Sequence, residues 1–220
     1  MLPQGTGQDF IRSHGIPKEP AAAIAVARDG DTRTLDAGLA RYRGHDGAEV
    51  EAYFANFAGA GISGAIARRA NTSSKALGGT ASFFWATIAT FVRWKNVHVA
   101  VEVDGDRREV KLLETFVAIG EFAAGGMKVA PGALSDDGLF DVLLIGDVTK
   151  ADFLRTFPKI YRGRHVSHPK VDLLRGRRVV VEPERPLPLT LDGEPLGTTP
   201  ATFELVPGAL RLRVPPASGI

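Results

Sequence analysis

The chain has 220 residues, of which 44% are hydrophobic and 24% charged. This balance is typical of a soluble globular protein with one large or two small domains. A net charge of +2 does not indicate nucleic-acid binding, and the absence of cysteine excludes disulfides and thiolate metal sites and fits a reducing compartment.

The N-terminal residues 3–10 are predicted to form a Gly-rich turn that leads into a short helix. Such a turn offers backbone N–H groups to phosphate, although a Gly-x-Gly sequence is also common in plain loops. No strand precedes the turn in this chain, so a nucleotide-binding βα unit would be only half present. The stretch contains Asp9 and no apolar run, so we expect no signal peptide. A second short helix is predicted from Pro20 to residue 27.

From Asp29 onward the pattern predicts mainly strands. Valines occupy every second position of residues 97–103, and Asp104-Gly105 predicts a turn into a return strand at residues 110–119. Further strands are predicted at residues 50–57, 140–145, 173–182, 202–206 and 210–214.

Two helices are predicted to interrupt these strands. The first spans residues 81–94 and is too short to cross a bilayer. The second begins at Thr149, a typical N-cap residue, with Asp152 three residues later. Many strands, few helices and no βαβ alternation favour an α+β fold, mostly an antiparallel sandwich or barrel-like domain.

The clearest chemical signal lies at the end of a predicted strand whose alternating leucines finish at Leu191. Asp192 and Glu194 follow and flank Gly193, and on an extended backbone their side chains would point the same way. Two carboxylates at a strand end can bind a metal or accept a proton from a hydroxyl. The alternative interpretation is an ordinary Asp-Gly hairpin turn.

A second signal lies in residues 130–142, where Asp136 and Asp137 precede Gly138 on a loop that enters a strand. One carboxylate with nearby carbonyls could hold a hard cation. The spacing of the acids is not that of an EF-hand, and a solvated turn is the alternative.

Taken in order, these motifs resemble the diacylglycerol kinase/sphingosine kinase superfamily, and in particular the soluble bacterial lipid kinases of the YegS and DgkB type. The resemblance covers residues 3–215; it rests on residues 3–10, 131–142 and 191–195, with support from 59–61 and 168–171. It implies an ATP-dependent kinase that phosphorylates a lipid hydroxyl such as that of diacylglycerol. Its nucleotide domain would precede a C-terminal β-sandwich that handles the lipid.

On this basis we expect three parts. Residues 1–28 would be a remnant of the nucleotide domain, and residues 29–206 the lipid-binding and catalytic β-sandwich. Residues 207–220 would form a C-terminal strand and tail that could return to the nucleotide domain.

The resemblance also implies the roles of individual residues. The cofactor-binding residues for ATP would be Gly5, Thr6, Gly7 and Asp9; a structural Mg²⁺ would be held by Asp137 with the backbone carbonyls of Leu134 and Leu139; and the catalytic pair would be Glu194 and Asp192. Glu194 matches the proton acceptor and Asp192 its partner, although which of them matters more is left open. Phosphoryl transfer requires positioning, charge neutralisation and a proton acceptor, and these residue types supply them.

Two departures from the family pattern bear on activity. The family's Gly-Gly-Asp-Gly-Thr phosphate loop is expected upstream of Pro3, and Gln8 stands where the family usually has Asn. Whether the 220-residue chain is active alone is therefore left open. The alternatives are a non-catalytic β-sandwich that binds lipid or a partner chain, and a kinase for a soluble polyol or nucleotide. We expect a cytoplasmic protein that contacts the inner membrane face peripherally and has no nucleic-acid partner. Whether it forms a homodimer is left open.

Two further features have competing interpretations. The basic stretch at residues 162–178 could attract an anionic membrane surface or simply be solvated. Its His165 and His168 lack cysteine partners and helical spacing, so no zinc site is expected. The aromatic residues within 83–94 could line an acyl pocket or pack in the core.

Overall fold

The computed structural model describes residues 7–72 and 89–216. The strands are β1 (Asp31–Gly44), β2 (Glu49–Phe54), β3 (Phe57–Gly61), β4 (Val97–Val103), β5 (Asp106–Leu112), β6 (Glu114–Ala118), β7 (Phe140–Ile145), β8 (Val171–Gly176), β9 (Arg178–Pro183), β10 (Pro188–Leu191) and β11 (Glu194–Val214). The helices are α1 (Asp9–Ser13), α2 (Pro20–Asp29), α3 (Ile62–Thr72) and α4 (Lys150–Thr156), with 3₁₀ helices at Phe157–Arg162 and Arg164–Ser167 and a helical segment at residues 89–93.

The described strands form one antiparallel sheet in the order β5-β4-β9-β11-β10-β3-β6-β7-β8, with β1 pairing to β11 and β2. The long strand β11 pairs with β10, β9 and β1 along its length. The far edge of the sheet curls back toward β4: β8 approaches β4 so closely that a side chain at Gly176 would overlap Val103. This curled sheet confirms the predicted antiparallel, sandwich-like α+β fold.

The hydrophobic core lies inside the curl. All four valines of β4 are buried, as their alternation predicted, and they belong to one core cluster with buried residues of β7, β9, β10 and β11. Phe54 stacks on Phe140 with ring centroids 5.8 Å apart and meets Phe203 edge-on at 6.1 Å. Full burial of such a side chain contributes about 1.5–3 kcal/mol, so these rings hold the opposed parts of the sheet together.

Helices cover two outer regions of the sheet. Ile11 and Ala23, from α1 and α2, pack with Leu35 and Leu212 at the ends of β1 and β11. The second region is covered by α3, residues 89–93 and α4. There, Phe91 stacks on Phe153 of α4 with a centroid separation of 4.0 Å. No helix within residues 7–72 and 89–216 has the length and apolar character needed to cross a membrane.

Several predicted elements have different bounds in the structure. The single strand predicted at residues 50–57 is two strands, β2 and β3; the ranges 110–119 and 173–182 are likewise divided, whereas 202–206 and 210–214 are one strand. Long β1 and helix α3 were not predicted as such. The Thr149–Asp152 capping box of α4 is confirmed. Of the helix predicted at 81–94, residues 89–93 are helical, and residues 81–88, with the aromatic positions 83–85, lie outside the described residues.

The boundary predicted between residues 206 and 207 falls within β11, whose last residues pair with the start of β1. The division into 1–28, 29–206 and 207–220 stays a prediction.

Candidate active site

The turn between β10 and β11 consists of Asp192 and Gly193. Leu191 pairs with Glu194, and the two turn residues have positive φ angles of 49° and 90°. A two-residue Asp-Gly turn in which both φ angles are positive is the type of hairpin turn that matches the twist of antiparallel strands. The hairpin interpretation is therefore right in geometry, and the extended backbone assumed for Asp192 is wrong.

The carboxylate of Asp192 binds the neighbouring β2–β3 connection. Its oxygens accept hydrogen bonds from the backbone N–H groups of Ala55 at 2.8 Å, Asn56 at 2.9 Å and Phe57 at 3.0 Å. In return, the backbone N–H of Asp192 donates to the carbonyl of Phe57 at 2.9 Å. Asp192 thus fixes the position of the hairpin turn and occupies its own oxygens in doing so.

Glu194 differs from Asp192 in its surroundings. Both side chains are exposed, but that of Glu194 makes no hydrogen bond or ion pair with any residue that the structure describes. Its backbone is held by pairing with Leu191. A carboxylate in this state is free to accept a proton from an approaching hydroxyl.

Asp9, at the start of α1, contacts a loop that also reaches the hairpin turn. Its buried carboxylate accepts hydrogen bonds from the backbone N–H groups of Gly125 at 2.8 Å and Gly126 at 2.6 Å. In the same loop, the carbonyl of Phe122 accepts a hydrogen bond from the side-chain amide of Asn56 at 2.9 Å. The structure thereby connects Asp9 to Asp192 through one loop and Asn56.

The other predicted nucleotide contacts precede Asp9. Gly5 and Thr6 lie outside the described residues, so their roles stay predictions. Gly7 lies so close to the carboxylate of Asp9 that a Cβ there would be 2.8 Å from Oδ2. Glycine is therefore required if Asp9 is to keep its contacts with the loop.

The predicted metal residue Asp137 is held by a cation and a backbone N–H. One oxygen forms an ion pair with Arg175, and the other accepts a hydrogen bond from Leu139 N–H at 3.1 Å. Arg175 also lies 3.3 Å from Oδ1 of Asp141. Leu134, whose carbonyl was predicted as a ligand, has an exposed side chain.

Asp141 has a feature that sequence reasoning missed. Its side chain is buried, and its Oδ2 has no hydrogen-bond partner. Burial raises the pKa of this carboxyl, while the neighbouring Arg175 opposes the shift and Asp137 adds to it. An unsatisfied carboxylate oxygen next to a second acid fits a hard cation, which prefers carboxylate and carbonyl ligands.

The described residues contain no cluster of three or more acidic, His or Cys side chains suited to a metal ion. The predicted site uses one carboxylate and two carbonyls, so it does not depend on such a cluster. A site at Asp137, Leu134 and Leu139 therefore stays a prediction, with Asp141 as an additional candidate ligand.

Asp36 is another functional candidate that the sequence did not reveal. It lies at an irregularity of β1, is buried, and accepts hydrogen bonds from the N–H groups of Gly138 and Gly208, both at 2.8 Å. Its own N–H donates to the carbonyl of Ser135 at 2.8 Å. Asp36 therefore holds the loop at residues 131–139, the acidic loop, against β1 and β11. The sequence signal that could have identified it is its position as an acid between Leu35 and Ala37 in an otherwise apolar stretch.

Comparison with known proteins agrees with this architecture. Residues 56–214 match the model of the YegS C-terminal NAD kinase beta sandwich-like domain. The chain is 31% identical to a diacylglycerol kinase of Mycobacterium tuberculosis and 33% identical to a probable lipid kinase YegS-like of Pseudomonas aeruginosa. These alignments cover 98% and 99% of the chain and 68% of each relative.

A crystal structure of a diacylglycerol kinase from Bacillus anthracis shares the fold, with a TM-score of 0.66 at 19% identity over 97% of this chain and 65% of that one. The chain thus spans about two thirds of the length of the proteins it matches. It belongs to the YegS-type lipid kinase family, which includes bacterial diacylglycerol kinases, and carries that family's C-terminal β-sandwich-like domain.

Proposed function

We propose that this chain is the lipid-handling and catalytic part of an ATP-dependent kinase that phosphorylates a lipid hydroxyl such as that of diacylglycerol. The hairpin turn carries the proposal. Three backbone N–H groups fix Asp192, while Glu194, two residues later, is exposed and unpaired among the described residues. The relatives named diacylglycerol kinase and lipid kinase support the reaction class.

Glu194 is better suited than Asp192 to act as the proton acceptor. In the reaction, the lipid oxygen forms a bond to the γ-phosphorus, the bond to the ADP oxygen breaks, and the hydroxyl proton must leave. A base has to reach that proton, and the carboxylate of Glu194 is accessible. Asp192 supports the same step as a positioning residue, because its own oxygens bind the backbone of residues 55–57.

The phosphate and metal contacts belong to the same proposal. Gly5, Thr6 and Gly7 would contact the nucleotide, and Asp9 would take part in the magnesium network beside the loop that it binds. Asp137 and the carbonyls of Leu134 and Leu139, with Asp141, would hold a structural Mg²⁺. A divalent cation there would share the neutralisation of Asp137 and Asp141 with Arg175 and would stabilise the loop.

Transfer of label from ATP tests this function. The protein as its gene encodes it is incubated with γ-labelled ATP, Mg²⁺ and diacylglycerol in mixed micelles, with matched reactions that contain empty micelles or a soluble polyol. We expect label in the lipid fraction only when diacylglycerol is present. Lipid binding without label transfer would instead support the non-catalytic module, and label in the polyol alone would support a kinase for soluble acceptors.

A further inference from the structure

A surface on α4 and the 3₁₀ helix that follows combines exposed apolar side chains with free cations. Leu154 and Tyr161 are 61% and 51% exposed, and Pro158 between them is also exposed. The spacing of four and then three residues places these side chains along one stripe of a helical segment. Exposed large apolar residues grouped in this way indicate an interaction surface.

A basic stripe runs beside the apolar one. Arg155, Lys159 and Arg162 each follow an apolar stripe residue by one position, and all are exposed. None of these side chains forms an ion pair with a residue that the structure describes, whereas many other arginines of the domain pair with acids on the sheet. Residues 150–164 carry five basic side chains and one acid, Asp152, which is bound in the capping box.

The opposite side of this segment packs against the domain. Phe153 stacks between Phe91 and Phe157, at centroid separations of 4.0 Å and 5.0 Å, and Ile160 is buried. The carbonyl of Ile160 accepts a hydrogen bond from Lys128 N–H at 3.1 Å. The exposed stripes are therefore preorganised for a partner rather than part of a loose loop.

We infer that this surface, the Leu154–Arg162 face, docks the protein on an anionic bilayer. The cations complement anionic headgroups, while leucine, proline and tyrosine side chains suit the boundary between headgroups and acyl chains. A soluble polyanion would use the cations but leave the apolar stripe in water. The inference rests on the proposed function in one respect: it gives a lipid kinase access to an acceptor that lies in a membrane.

Vesicle sedimentation with the whole protein tests the inference. Vesicles of phosphatidylcholine alone are compared with vesicles that also contain phosphatidylglycerol, using the parent protein, R155Q/K159Q/R162Q and L154S/Y161S. The matched control, R43Q/R107Q/R178Q, removes the same charge from sheet arginines. Thermal melts confirm that each variant is folded.

We expect the parent and the sheet control to bind anionic vesicles and to ignore phosphatidylcholine. Each lost basic residue should weaken binding by about fivefold, and L154S/Y161S should also bind more weakly. Three results would overturn the inference: no binding by the parent, equal loss in the basic-stripe variant and the sheet control, or full binding by L154S/Y161S. The last of these would indicate a polyanion site.

Failure of docking and failure of the kinase can be told apart. Vesicle sedimentation requires no turnover, so it remains valid if the protein proves not to be a kinase. If it is a kinase, the face variants should keep parent activity on a short-chain acceptor in detergent micelles and lose activity on vesicles. Equal activity of the parent and the face variants on vesicles would contradict the docking role without touching the catalytic proposal.

Discussion

Glu114 on β6 is a buried acid outside the proposed catalytic pair. It is 1% exposed; its Oε2 accepts a hydrogen bond from Ser63 N–H at the start of α3, and its Oε1 has no hydrogen-bond partner. Burial raises the pKa of this carboxyl to about 8 from an ordinary 4.5, although the bonds from Ser63 act against the shift. Glu114 is thus protonated in the folded protein at neutral pH.

This burial predicts a pH dependence of stability. In the unfolded chain Glu114 ionises near pH 4.5, whereas in the folded protein it keeps its proton until about pH 8. The folded state therefore binds more protons in this window, and the free energy of unfolding should fall as pH rises from 4.5 to 8. The slope should approach about 1.4 kcal/mol per pH unit between the two pKa values.

Urea unfolding from pH 6.5 to 8 measures the slope for the parent and Glu114→Gln. The buried His14 and His165, whose pKa values burial lowers from 6.5, also contribute to the slope near pH 6.5, but they contribute equally to both proteins. The difference between the two curves therefore reports Glu114. The Gln variant should show a flatter dependence. Parallel curves for the two proteins would mean that Glu114 does not keep its proton in the folded state.

Asp192 should matter for stability in a way that Glu194 does not. Asp192→Ala would remove the acceptor for the N–H groups of Ala55, Asn56 and Phe57. We expect the free energy of unfolding to fall by about 1–3 kcal/mol. Glu194→Ala is the matched control; since its carboxylate has no hydrogen-bond partner among the described residues, the change should stay within about 0.5 kcal/mol. Equal losses in chemical denaturation would refute this division of roles.

At the scale of elements, the acidic loop at residues 131–139 is held by Asp36 and Arg175. If it also binds Mg²⁺, the ion should stabilise the folded protein by mass action. The melting temperature of the parent protein should therefore be higher in millimolar Mg²⁺ than in EDTA. This difference should vanish in Asp137→Ala. Asp36→Asn leaves the proposed ligands in place, so this variant should retain part of the rise in melting temperature with Mg²⁺. A melting temperature that does not respond to Mg²⁺ would remove the metal site from the proposal.

Elements with local signals were predicted well. The alternating valines of β4 and the capping box of α4 involve residues a few positions apart, and both are found as expected. The split of residues 50–57 had no local signal. It arises because Asp192, more than 130 positions away, binds the N–H groups of Ala55 and Asn56 that a continuous strand would use.

At the scale of the whole molecule, the curled sheet brings the site together. Strand β10 lies between β3 and β11, so the 192–193 turn emerges beside the β2–β3 connection. The loop at residues 120–126 then connects this turn to Asp9. The sequence places the acids in motifs, and the family resemblance implies the roles that are proposed for them. Their contacts depend on pairings across the whole chain, which periodicity does not reveal.

Turnover of Glu194→Gln tests the central claim most directly. The substitution keeps the size and hydrogen bonding of the side chain but removes its capacity to accept a proton. In the mixed-micelle assay, label transfer should fall by roughly 10²–10⁴ relative to the parent, while the melting temperature and its Mg²⁺ response stay unchanged. Glu109→Gln, at an exposed glutamate on β5, should retain parent turnover. A folded Glu194→Gln protein that phosphorylates lipid at the parent rate would contradict the account.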